Sequence, residues 1–281
     1  GPTAAMLLAA QCVNTCCELD GHWLIAAVAD EECGSVLGLD YLLEHEFVKP
    51  DLAIIPDIGG NMRRIDVAEK GLLQFEIVAH GSQAHASTPE KGMNAVWNLM
   101  AVLQRFRERG LPPAEHPLLS AATYNLGEIH GGVAYNVVPA RASAKIDIRW
   151  LPDQSADGIL DRVREILAEV EKEIPGSHFD LDESMRMPPS EVSPDHELVT
   201  TLRKRTQEVI GEEPELIGIG GVTVAKPLNL RGIPAVGWAV GDAGIAHMRD
   251  EYIEIEELLT FGRILARVAA DLLGARERGT H

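Results

Sequence analysis

"LLQFEIVAHG" (72–81) alternates apolar and polar residues with a period of two, the pattern of a strand with one face packed and the other wet. Upstream the pattern is different. "WLIAAVA" (23–29) and "DLAIIP" (51–56) are continuous apolar runs, with a helical stretch "GSVLGLDYLLEHE" (34–46) between them and a helix expected over 3–18. Continuous strands alternating with helices imply a parallel sheet covered on both faces. Downstream of residue 81 come a helix over 93–109, strands near 121–128 and at "ASAKIDIRWL" (142–151), a helix over 155–173 and a strand near 178–182. That order, β-α-β-β-α-β, is the split βαβ or ferredoxin-like arrangement. "MRMPPSEVSP" (185–194) reads as a linker. The βα alternation then resumes with helix 195–210, strand 215–219, helix 223–231, strand "IPAVGWAV" (233–240) and helix 254–274. The expectation is an α/β protein whose larger domain has a mostly parallel sheet with helices on both faces, built from 1–71 and 185–281. An α+β, ferredoxin-like domain is inserted at 72–184.

The chain has 281 residues, a formal net charge of −18 and a 46% hydrophobic composition. Length and composition suit a globular protein of about two domains. The negative charge argues against nucleic acid or an anionic membrane as partner and suits cationic ligands or metal ions. No apolar run approaches the roughly 20 residues that span a bilayer. The four cysteines all lie in the first 33 residues without a C-x-x-C pair, which points to buried thiols and a reducing cytoplasm rather than a disulfide framework.

Three carboxylates in a row, Asp30, Glu31 and Glu32, close the first apolar run, and Asp57 of "IIPDIGG" closes the second. Ligand sites of open parallel sheets lie at the carboxyl ends of strands, and carboxylates gathered there repel unless a cation sits between them. Solvated loop acids near a helix start are the other reading of the same residues. His247, in the Gly-rich loop of "GDAGIAHMRDEY" (241–252), follows the strand 233–240 at the same edge. Two carboxylates and an imidazole suit zinc, cobalt or manganese. Glu31 and Glu32 are adjacent and point different ways, so one can bind metal while the other faces the attacking water as general base. In the inserted domain, "HGSQAHASTPEKGMNAV" (80–96) puts His85 between a strand and a helix, and "YNVVPARASAKIDIRW" (135–150) holds Asn136 and Arg149. Asn and Arg are donors suited to an oxyanion or a carboxylate; a polar turn and a salt-bridged surface Arg would look the same.

Five motifs stand in order along the chain: "DEE-x-G" (30–34), "D-x-G" (57–59), "G-x-x-AHAS-x-P-x-x-G-x-NA" (81–95), "N-V-x-P…D-x-R" (136–149) and "G-x-x-x-AH-x-x-DEY-x-x-IE" (241–256). Together they resemble the zinc-dependent family of aminoacylases, acetylornithine deacetylases, succinyl-diaminopimelate desuccinylases and glutamate carboxypeptidases, from residue 1 to about 272. The resemblance implies a dinuclear zinc amidohydrolase, with cobalt or manganese as possible substitutes, acting on an N-acyl amino acid or small peptide with a free carboxylate. It implies Glu31 as general base, Glu32 and His247 as ligands of one metal, and Asp57 as a ligand of the second. His85 would stabilise the oxyanion, often across a dimer. Asn136 and Arg149 would hold the substrate amide oxygen and carboxylate. "GIGGVTVAKPL" (218–228) resembles the family's Gly-rich substrate loop, with Gly220 and Gly221 offering backbone N–H groups and altered wording at Val222 and Thr223. The inserted domain then serves as a lid that pairs with a second copy, an expectation supported by the apolar "AVWNLMAVL" (95–103). Family members also carry an upstream H-x-D and an Asp in D-x-K-G, and Gly1-Pro2 falls just after that Lys, so an N-terminal segment is expected to be lacking. The alternatives are a metal-poor, non-catalytic relative acting as a dimeric binding or scaffold protein, and a plain α/β binding protein for a cationic solute.

Overall fold

The computed structural model describes residues 1–31, 35–58, 60–246 and 248–278, and in it the chain divides into two compact units, Gly1–Glu69 with Ser190–His281, and Lys70–Pro189. In chain order the first unit opens with α1 (Pro2–Cys16), β1 (Cys17–Glu18), α2 (Leu39–Glu44), β2 (Ala53–Ile55) and β3 (Arg64–Glu69). The second unit holds β4 (Gly71–His80), α3 (Ala95–Arg109), β5 (Thr123–Gly131), β6 (Arg141–Trp150), α4 (Ala156–Glu173) and β7 (His178–Met187). The chain returns to the first unit with β8 (Ser190–Glu191), α5 (Glu197–Ile210), β9 (Glu215–Ile219), α6 (Ala225–Leu230), β10 (Ala235–Gly237), α7 (Ile255–Leu272) and β11 (Arg276–Glu277).

In the first unit the main sheet runs β2-β10-β3-β8, with β9 also paired to β3. It is mixed, with most of its pairing parallel: β2 with β10 and β3 with β9 are parallel over eight residue pairs, whereas β10 with β3 and β3 with β8 are antiparallel over three. The cause is a chain reversal after β2. Gly60, Asn61 and Met62 take φ of 141°, 47° and 67°, a left-handed run that turns the backbone sharply and brings β3 back against the direction of β10. The sequence reading passed over β3, because "RIDVAE" looks charged. Trp238 stacks on Phe261 of α7 at 4.8 Å between ring centres, and its indole N–H donates to the Met62 carbonyl at 3.0 Å. α1 lies against α7, with Ala5, Ala9 and Val13 buried.

Three further expectations are corrected. Residues 23–29 form no strand, and Leu24 is 59% exposed. An apolar run becomes a strand only where a neighbour takes its backbone groups, and among the described residues none pairs with it. Asp30 and Glu31 therefore follow an unpaired segment rather than a strand end. The helix expected over 34–46 is confined to Leu39–Glu44, with Ser35 and Glu46 in left-handed conformations outside its two ends (φ 62° and 56°). Residues 185–187 are not linker: β7 continues to Met187, which pairs with Leu72.

The second unit is the β-α-β-β-α-β arrangement with an antiparallel sheet ordered β5-β6-β4-β7. Leu73, Phe75, Ile77 and Ala79 of β4 face Ile148, Ile146, Ala144 and Ala142 of β6 pair by pair, and all eight are buried under α3 and α4. Asn94 caps α3, accepting from the N–H groups of Val96 and Trp97, and Ser155 caps α4 through the Gly158 N–H, satisfying donors that a helix start leaves open.

Candidate active site

β2 and β10 are parallel neighbours, so the chain leaves both at the same sheet edge, where α/β ligand sites form. Asp57 lies exposed in the turn two residues beyond β2. That turn is stitched to the loop beyond β10: the N–H groups of Gly60 and Asn61 donate to the Gly241 carbonyl at 2.9 and 3.1 Å, and the Gly241 N–H donates to Asn61 Oδ1 at 2.9 Å. The loop carrying His247 thus starts beside the turn carrying Asp57. His247 and Glu32, two of the three expected metal ligands, lie outside the described residues, and among the described residues no three His, Cys, Asp or Glu side chains are grouped to hold a metal. The donors that the two stitched loops carry, one carboxylate and one imidazole, fit a divalent zinc-type ion in kind. Glu31 is half-buried just before the undescribed stretch 32–34.

In the second unit the backbone brings His85 and Asn136 together. His85 pairs with Val137 in an isolated bridge, and the Ala86 N–H donates to the Asn136 carbonyl at 3.0 Å. The His85 ring is oriented by Ser87: the Ser87 N–H donates to Nδ1 at 3.2 Å, and Ser87 Oγ lies 2.7 Å from the same nitrogen. A nitrogen that accepts from a backbone N–H is unprotonated, so in the neutral ring the proton sits on Nε2. His85 therefore presents an N–H donor outward. Sequence reasoning missed Ser87 as its orienting partner, although the spacing H-x-S was visible.

Arg149 is elsewhere. It lies near the far end of β6, eight residues beyond Arg141, roughly 25 Å along the strand at about 3.3 Å per residue. The structure does not bring it to His85 and Asn136 within the second unit. Its Nε and Nη2 both donate to Asp147, at 2.8 and 3.2 Å, and Asp147 Oδ2 also accepts from Gln74 Nε2 at 2.8 Å. Residues two apart on one strand share a face, so D-x-R builds this pair locally. Lys70 is buried nearby, donating to Ser120 Oγ and the Ala121 carbonyl at 3.0 and 2.6 Å; burial, then the charge of Arg149, lowers its pKa.

Gly220 and Gly221 form the exposed turn between β9 and α6. Behind it lies a buried polar group that the sequence reading did not single out. Asp66 and Glu69 of β3 are each 2% exposed, and Lys226 of α6 is fully buried. Two acids and one base in low dielectric cannot all be charged cheaply. Burial, followed by the charge of Glu69, pushes Asp66 up to about 8, and burial also raises Glu69.

Residues 67–175 match the peptidase dimerisation domain of the M20 family. An uncharacterized metallohydrolase of Methanococcus maripaludis is 30% identical over 272 residues, covering 88% of this chain and 63% of its own length. An acetylornithine deacetylase of Myxococcus xanthus is 27% identical over 265 residues, covering 92% of this chain and 67% of its own. The crystal structure of aminopeptidase PepT from Bacillus cereus shares the fold, with a TM-score of 0.72 at 24% identity over 87% of this chain and 63% of that one. The chain spans just under two thirds of the length of the first of these relatives. No helix among the described residues is long and apolar enough to cross a membrane. The ordered motifs, the two-unit fold and these matches agree: the chain carries the M20 peptidase dimerisation domain and is similar over most of its length to a metallohydrolase and to acetylornithine deacetylases.

Proposed function

We propose that this protein is a metal-dependent amidohydrolase that cleaves the amide bond of an N-acyl amino acid or small peptide bearing a free carboxylate. The observation that carries this reading is the stitching of the Asp57 turn to the Gly241 loop, which sets the bases of two ligand-bearing loops side by side. Asp57, Glu32 and His247 would hold zinc, two ions per complete subunit, with cobalt or manganese as substitutes. The metal would supply a Lewis acid for the scissile carbonyl and make water more acidic. Glu31 takes the proton of the attacking water and delivers it to the leaving amine. His85 donates from Nε2 to the oxyanion, with Asn136 as second donor on the amide oxygen. Arg149, oriented by Asp147, meets the substrate carboxylate, as do the backbone N–H groups of Gly220 and Gly221.

One reaction needs these donors together, and a second copy can bring its His85 and Asn136 to the Arg149 of the first. A homodimer through the lid fits this need. Edge strand β5 is exposed along all nine residues, and with α3 it forms an apolar groove of about 320 Å³ lined by Met100, Leu103, Phe106, Tyr124 and Leu126. An unpaired edge beside apolar surface is a surface that association covers. Cys12 and Cys16, expected to be buried, are exposed, and Cys17 is partly so; as free thiols they suit a reducing cytoplasm.

The test is turnover. Full-length protein loaded with zinc is offered N-acetyl, N-succinyl and N-formyl amino acids and dipeptides, and amine release is followed. Hydrolysis abolished by a chelator and restored by zinc is expected. No turnover across the panel at full metal occupancy overturns the reading.

A further inference from the structure

The buried network of the first unit takes no part in that chemistry, yet its geometry converges on one turn. Ile219, the last residue of β9, pairs with Glu69 in the β3–β9 ladder. Three residues intervene, Gly220, Gly221 and Val222, before Thr223. The Thr223 hydroxyl donates to Glu69 Oε1 at 2.5 Å, and its backbone N–H lies 3.3 and 3.4 Å from the two carboxylate oxygens. Lys226 Nζ lies 3.5 Å from both Glu69 Oε2 and the Glu69 carbonyl. The turn is closed from within as well: Thr223 Oγ1 accepts from the Ala225 N–H at 3.1 Å, and the Thr223 carbonyl from the Lys226 N–H at 3.1 Å. Glu69 therefore grips both ends of the Gly220–Val222 turn, one through its strand pairing and the other through its side chain.

Stability alone does not account for this arrangement. A buried ion pair is often no better than apolar residues of the same volume. What it supplies is definition. Two adjacent glycines are the most conformationally free residues available, and a ligand that has to order them binds more weakly. A carboxylate that fixes the turn at both ends removes that loss beforehand.

We infer that Glu69, Thr223 and Lys226 are positioning residues that clamp the Gly220–Val222 turn in the conformation that receives the substrate carboxylate. The clamp is a property of the first unit; its link to substrate rests on the amidohydrolase reading. It predicts that loosening the clamp frees the turn without loosening the sheet, and weakens substrate capture rather than bond cleavage.

The experiment is backbone hydrogen exchange on the full chain, comparing wild type with Thr223→Val, Thr223→Ser and Lys226→Met. Thr223→Val should speed exchange across 220–224 by about tenfold, the scale of losing a hydrogen bond to a charged group, while β3 and β10 keep their protection. Thr223→Ser should restore the wild-type rate. Lys226→Met should act in the same direction, and if it fails to fold, the two Thr223 variants carry the test. Unchanged exchange at 220–224, or equal loosening of the whole unit, overturns the clamp. For the substrate link, KM for an N-acyl amino acid should rise about tenfold in Thr223→Val with kcat within about twofold, returning in Thr223→Ser. A fall in kcat at constant KM, or a free turn with unchanged KM, overturns that link. If wild type turns over nothing, the amidohydrolase reading falls, and exchange still decides the clamp.

Discussion

β3 and β4 are consecutive strands separated only by Lys70, and they are stabilised in opposite ways. β4 runs ten residues with its apolar side chains against α3 and α4 and a ladder partner along each edge. β3 runs six residues, five of them buried, and two of those five are carboxylates. An amphipathic strand needs only a core to cover one face. A strand with buried acids needs named partners, and Glu69 finds them at Thr223 and Lys226, far along the chain. The difference is one of source: β4 is specified by its own period, β3 by tertiary contacts.

The largest expected effect tests the first half of that contrast. Phe75, 2% exposed in the lid core, should cost about 3–5 kcal/mol on truncation to Ala, from lost transfer energy and the cavity left behind. Hydrogen exchange should report the loss in β4, β6 and β7 while β3 and β9 keep their protection. Equal loss in both units would show that the two cores are not separable.

The second half is tested by pH. The folded state holds the proton of Asp66 up to about pH 8, against an ordinary carboxyl value of 3.8, because its burial disfavours the charge and Glu69 adds to the cost. A raised carboxyl pKa means that the native state binds a proton the unfolded chain has released. This contribution to stability is complete below about pH 4 and is lost as pH rises through 8. Asp66→Asn has no such proton, so its stability relative to wild type should climb between pH 5 and 8, by about 4 kcal/mol at about 1.36 kcal/mol per pH unit. Urea unfolding at several pH values checks it; a difference flat in pH breaks the argument.

The same contrast explains what could be read beforehand. The lid was legible because Leu73, Phe75, Ile77 and Ala79 recur at period two; the starts of its helices, expected at 93 and 155, are set at 95 and 156 by the caps Asn94 and Ser155. Its edge was less so: "MRM" (185–187) looks like the start of a linker, and only pairing with β4 makes it strand. In the first unit "RIDVAE" shows three charged residues, and the partners that let Glu69 lie buried, Thr223 and Lys226, stand far along the chain. "WLIAAVA" looked like a strand, but composition cannot supply a neighbour. At the candidate site, Asp57 was visible at the edge of a parallel pair. The proximity of His85 to Asn136 arises from the bridge to Val137, and the distance of Arg149 from both follows from strand length, which motifs do not record.

Glu31 sharpens the comparison on the functional side, since it belongs to the first unit yet is named by motif alone. Glu31→Gln should lower kcat by at least about 100-fold, the usual scale for a general base, with metal content by elemental analysis nearly unchanged, because the adjacent Glu32 is the expected ligand. Equal activity would remove Glu31 from that role.

The smallest effects concern helix starts, where α3 and α7 differ. Asn94 satisfies two N–H groups at the start of α3, at 3.0 and 3.2 Å. α7 in the first unit begins at Glu254, whose side chain makes no capping bond. A glutamate at this position is one methylene too long to fold back onto the N–H groups of the first turn, whereas Ser, Asp or Asn reaches them. Glu257 already stands three residues on, so Glu254→Ser would complete a capping box in which each side chain satisfies the other's backbone N–H. Asn94→Ala should therefore cost about 1 kcal/mol and Glu254→Ser should gain a similar amount. Each shift is a few degrees in Tm at most for a chain of this size. Thermal unfolding with exchange read separately on α3 and α7 measures both. A loss without the matching gain would mean that the first turn of α7 is already satisfied by another group, and the contrast in capping between α3 and α7 would not extend to stability.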